Sequence, residues 1–86
     1  MASYRVEWKS SAVKELRKVP QESAVRILAA VEAVRENPFP QGSKKLVGGR
    51  ASYRIHEGVY RVIYSVVQEF LVIEVVKVGH RKDVYK

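Results

Sequence analysis

From Tyr53 to Val67 the sequence reads Tyr-Arg-Ile-His-Glu-Gly-Val-Tyr-Arg-Val-Ile-Tyr-Ser-Val-Val, and few folds accommodate that alternation. Successive side chains of a β-strand point to opposite faces. Apolar–polar alternation on both sides of Glu57-Gly58 therefore predicts two half-buried strands joined by a tight turn. Tyr53 and Ile55 share one face of the first strand, and Arg54 and His56 share the other. Beyond the turn Tyr60, Val62, Tyr64 and Val66 form one set, and Arg61 falls in the opposite one. Joining the apolar sets into a core leaves Arg54, His56 and Arg61 together on an open face. Two guanidiniums and an imidazole on a rigid sheet can hold a phosphate; a solvated charged face is the alternative.

The remainder of the chain supplies what such a hairpin needs to bury its apolar side. Tyr4 to Trp8 alternates as a first strand. Ser10 or Ser11 is the expected N-cap of a short helix, with Val13, Leu16 and Val19 as its apolar stripe. Pro20 fits the first turn of a helix and not its interior, so a second helix starts there. Ala24, Ile27, Leu28, Val31 and Val34 give that helix its stripe, and Asn37-Pro38 stops it. Gln41 to Ala51 reads as an exposed basic loop, with Gly42, Gly48 and Gly49 beside Lys44, Lys45 and Arg50. Its spacing and context do not match a P-loop, which leaves contact with a phosphate backbone. After a Gln68-Glu69 turn, Phe70 to Val78 reads as a strand covered on both faces and ended by Gly79. A short basic tail with His80, Arg81, Lys82 and Tyr85 follows. The expectation is one α+β domain over 1–86, of order β-α-α-β-β-β, with a mostly antiparallel sheet and a two-helix hairpin on one face.

Charge narrows the partners. Sixteen Lys and Arg against nine Asp and Glu give a net charge of +7, which implies an anionic partner, nucleic acid before an acidic protein or a membrane. The absence of cysteine excludes disulfides and thiolate metal sites. The two histidines have no carboxylates at ligand spacing, so no metal and no other cofactor is expected. No apolar run approaches the ~18 residues of a membrane span, and the N-terminus has no signal-peptide core; a cytoplasmic protein is expected. Neither a Ser/His/Asp set nor a carboxylate pair is present. Cations, imidazoles and phenols remain, and they suit RNA cleavage by its own 2′-hydroxyl. That reaction needs alignment, a proton acceptor and neutralisation of the phosphorane charge. Histidine moves protons near neutrality, and arginine can bond two phosphate oxygens at once.

The ordered motifs carry a resemblance. They are Ser10 with Ala12, Lys14 and Leu16; Asn37-Pro38; Lys45-Leu46 with Gly48; Tyr53-Arg54-Ile55 followed by Tyr60-Arg61-Val62-Ile63-Tyr64; and Val78-Gly79-His80-Arg81 with Val84-Tyr85. Together they resemble the RelE/ParE toxins of type II toxin–antitoxin pairs, with the closing motif similar to the RelE branch. The resemblance implies an mRNA interferase that cuts the codon in the ribosomal A site. Its implied partners are mRNA, the ribosome and a cognate antitoxin, through which alone it reaches operator DNA. The branch's site residues fall on Arg54, His56, Arg61, Arg81 and Tyr85. Arg54 and His56 stand where the branch has lysines, which moves the base role to His56, with His80 as an alternative partner. Lys44, Lys45, Arg50, His80 and Lys82 are the implied RNA and phosphate contacts. A gyrase-poisoning toxin of the ParE kind has the same fold, and a purely regulatory homologue is a third reading.

Overall fold

The computed structural model describes residues 4–39 and 52–80 and the backbone of 44–45. Strand β1 (Arg5–Trp8) leads into helices α1 (Ser10–Arg17) and α2 (Gln21–Glu36), followed by β2 (Lys44–Lys45), β3 (Ser52–Glu57), β4 (Tyr60–Val67) and β5 (Val72–His80). The sheet order is β1-β5-β4-β3-β2. β1 pairs parallel with β5 and every other pair is antiparallel, so the expected α+β architecture is present. The parallel pair follows from the helical connection, which returns the chain across the sheet before the β3–β5 meander begins. Lys44-Lys45, expected in a loop, instead forms a short edge strand against Arg54 and Tyr53.

One face of the sheet is covered. α1 packs over β5 and α2 over β3. Ala12, Ile27, Val31 and Val34 from the helices meet Ile55, Val62, Tyr64, Val66, Ile73, Val75 and Val78 from the sheet. The α2 stripe is narrower than its apolar residues suggest: Leu28 and Val25 remain 44% and 59% exposed. Only Ile27, Val31 and Val34 lie at the i, i+4, i+7 positions that face the sheet.

Local signals account for most boundaries. Pro20 sits at the N-cap of α2, where its missing N–H costs nothing. Asn37 ends the helix in an extended conformation, and its side chain accepts from the Phe39 N–H at 3.1 Å. The serine cap of α1 is not formed. Lys9 occupies that position without a side-chain cap, and Ser10 is the first helical residue. The reason is that the Lys9 N–H is still committed to β5, bonded to the Val75 carbonyl at 3.0 Å. β5 also starts and ends later than its apolar run, because a 3-10 turn over Gln68–Phe70 and a left-handed Leu71 (φ 52°) precede it, and Gly79 and His80 remain paired.

Gly58 opens the two-residue turn between β3 and β4 with φ +62°, while Val59 has no positive φ, the pattern of a type II′ hairpin. A Cβ at Gly58 meets nothing within 4 Å, so its cost is conformational alone. Gly58→Ala is expected to lose roughly 1–2 kcal/mol, read as a lower urea midpoint at unchanged slope; an unchanged midpoint would contradict the left-handed turn.

Candidate functional site

The β3–β4 register sets the open face. His56 pairs with Arg61 and Arg54 with Ile63, while Ile55–Val62 and Tyr53–Tyr64 fall on the covered side. Directly opposed residues on one face lie close enough to touch. Arg54 is then diagonal to Arg61, roughly 7–8 Å away and within reach of a guanidinium. His56 is exposed and both arginines are half-buried. The Nε atoms of Arg54 and Arg61 are shielded from solvent. Lys44 occupies the register position opposite Arg54.

The same face changes character along the strands. In the next row Glu7 pairs with Glu74, which pairs with Ser65, which pairs with Ser52. The two serine hydroxyls are 3.4 Å apart, and Arg5 bridges to Glu7 at 3.2 Å. Acidic and hydroxyl groups therefore occupy one end and Arg54, His56 and Arg61 the other. A polyanion is steered to the cationic end.

His80 is not part of that cluster. It pairs with Tyr60 across β4–β5, with ring centroids 6.0 Å apart in an edge-on arrangement. It lines a groove with Glu15, Lys18 and Val19 on the helix-covered side. The cause is a β-bulge: Ile63 pairs with Lys77 but Tyr64 pairs with Val75, leaving Val76 as an extra residue. Val75 and Val78, three apart, are both buried, which strict alternation forbids. After the bulge Gly79 stands opposite Arg61 and His80 turns inward beside Tyr60. The sequence carried a signal for this. Glu74 and Lys77 are polar at odd spacing in an apolar strand, so both can face outward only across a phase break. Arg50, Arg81, Lys82 and Tyr85 lie outside the described residues, as do the side chains of Lys44 and Lys45. Among the described residues no group of three or more His, Cys, Asp or Glu is placed to hold a metal ion. None of the described helices is long and apolar enough to cross a membrane.

The sequence pattern of a family described as the ParE toxin of type II toxin–antitoxin systems matches residues 6–85. The chain belongs to this family. Solved structures place the toxin within the wider RelE/ParE superfamily. The RelE–RelB complex of the archaeon Pyrococcus horikoshii OT3 is 30% identical, with a TM-score of 0.80 over 95% of this chain and 99% of that one. The isolated RelE toxin of E. coli is also 30% identical, with a TM-score of 0.82 over 96% of this chain and 92% of that one. The RelB–RelE complex of Methanococcus jannaschii is 29% identical, with a TM-score of 0.72 over 92% of this chain and 94% of that one.

Proposed function

We propose that this toxin is an mRNA interferase, an endoribonuclease that cuts mRNA in the ribosomal A site. The observation that carries the reading is the opposition of His56 and Arg61 with Arg54 on the diagonal, at the cationic end of a sheet face that neither helix covers. In the proposed reaction the neutral His56 imidazole takes the 2′-hydroxyl proton as the 2′-oxygen bonds to phosphorus. Arg61 and Arg54 hold the phosphorane oxygens. The P–O5′ bond then breaks, with Arg81 stabilising the departing oxygen while it takes a proton from water, and leaves a 2′,3′-cyclic phosphate and a 5′-hydroxyl. Tyr85 orients a base, while Lys44, Lys45, Arg50 and Lys82 meet the backbone. His80 stands on the covered side, which favours His56 for the base role. The RelE structures solved with RelB support a cognate antitoxin as partner, and an action on translating ribosomes would put its work in the cytoplasm.

Because phosphate contacts release counterions, RNA affinity should fall with salt, and Arg54→Ala should flatten the log–log slope by about 0.7. A salt-independent affinity would rule out a backbone-dominated interface. The ParE description of the family favours a second reading, inhibition of DNA gyrase without RNA cleavage. Inducing the toxin and mapping mRNA 5′ ends separates the two. New ends within translated codons support the interferase; intact mRNA with DNA breaks supports gyrase.

A further inference from the structure

β1 has four residues and β5 has nine, so β1 stops covering β5 at the Trp8–Val75 pair. Beyond it the outer edge of β5 has no strand partner among the described residues, and this is where the bulge lies. The edge is closed by a side chain. One carboxylate oxygen of Glu15, on α1, accepts the Val78 backbone N–H at 3.1 Å. The other accepts from Lys77 Nζ, also at 3.1 Å. Both oxygens thus grip the two residues that follow the extra Val76.

We infer that Glu15 is a positioning residue for the cleavage face, holding the β5 bulge in the phase that puts Gly79 beside Arg61. The inference rests on the ribonuclease reading. Its physical basis is the period of two in a strand: slipping by one residue sends every following side chain to the other face. Without the bulge the Tyr64–Val75 register would continue, so Gly79 would turn inward beside Tyr60 and Val78 would stand opposite Arg61. Glycine at that register puts no side chain directly across β5 from Arg61, which keeps that position narrow enough for a phosphate to approach the guanidinium. A branched apolar side chain there would crowd the approach and lift Val78 out of the core it now helps to fill. Backbone N–H groups at an open edge exchange readily with water, so the carboxylate also decides how firmly this end of β5 is held. The neutral amide of glutamine keeps an oxygen acceptor for the Val78 N–H and gives up only the ion pair with Lys77. Because Glu15 and Lys77 are 30% and 40% exposed, that pair is the weaker half of the grip.

The test measures amide hydrogen exchange and single-turnover cleavage of ribosome-bound mRNA in Glu15→Ala, Glu15→Asp and Glu15→Gln. Aspartate keeps the charge but shortens the reach by one methylene. Alanine and aspartate should speed exchange at Val78 by roughly tenfold or more while Val62 and Ile73 stay protected, which also shows the fold is intact. In both, the cleavage rate should fall by roughly ten- to a hundredfold with ribosome affinity unchanged, as expected for a reacting group displaced by about 1 Å. Glutamine should restore both readouts. Unchanged Val78 exchange in Glu15→Ala and Glu15→Asp would overturn the grip. Faster exchange with wild-type cleavage would overturn the positioning role. Failure of the underlying reading is separable: wild-type toxin that cuts no RNA overturns the role in cleavage even if Val78 responds as expected.

Discussion

Arg61→Ala should cut mRNA at least about 100-fold more slowly than the wild type, the loss typical of removing one preorganised donor to a developing oxyanion. Arg61 is the residue on which the site converges. It faces His56 across the strand pair, has Arg54 on its diagonal and has Gly79 as its β5 partner. Its stability cost should be about 1 kcal/mol or less, because the residue lies outside the apolar core. Single-turnover cleavage and a urea titration on the same preparation separate the two effects. Cleavage at the wild-type rate would remove Arg61 from the chemistry.

The largest effect on stability should come from Tyr64. Its side chain is 1% exposed, its hydroxyl donates to the Pro38 carbonyl at 2.8 Å, and its ring stacks on Tyr53 at 5.9 Å. Phe39 packs edge-on against Tyr53 at 5.0 Å, so the aromatic row ties the end of α2 to the centre of the sheet. Tyr64→Ala should cost about 3–5 kcal/mol, a large part of the ~5–15 kcal/mol that holds a domain together. Tyr64→Phe keeps the ring and leaves the Pro38 carbonyl without that donor, for about 1–3 kcal/mol. Equal urea midpoints for wild type and Tyr64→Phe would mean that the Pro38 tie contributes nothing.

The two faces of β3 and β4 could be read from the sequence because one side of the sheet is buried and the other is not. Under that condition the alternation of Tyr53 to Val67 has a single consistent register. The helix boundaries at Pro20 and Asn37 were legible for a similar reason, since each rests on a backbone property of the residue itself. What failed depended on partners elsewhere in the chain. Ser10 is a good cap in isolation, yet β5 holds the Lys9 N–H and makes Lys9 the boundary. Lys44-Lys45 resembles loop in a glycine-rich stretch, but an edge strand needs only a neighbour with free backbone groups, and β3 provides it. Leu28 matches the helical period but is left 44% exposed, at the mouth of a groove it lines with Val6, Trp8 and Val31. The placement of His80 turns on the bulge at Val76, and local apolar content does not distinguish a phase break from a strand buried on both faces. The site was therefore legible where it lies on the hairpin and not where it depends on β5.

The most direct test of the proposed activity is the chemistry of the cut ends. Purified toxin is added to ribosomes programmed with an mRNA whose codon fills the A site, and both fragments are sequenced and end-analysed. The expected result is a cut within that codon, a 2′,3′-cyclic phosphate on one fragment and a 5′-hydroxyl on the other, all formed at least about 100-fold more slowly with Arg61→Ala. Uncut mRNA, or cut ends carrying a 5′-phosphate and a 3′-hydroxyl, would contradict it.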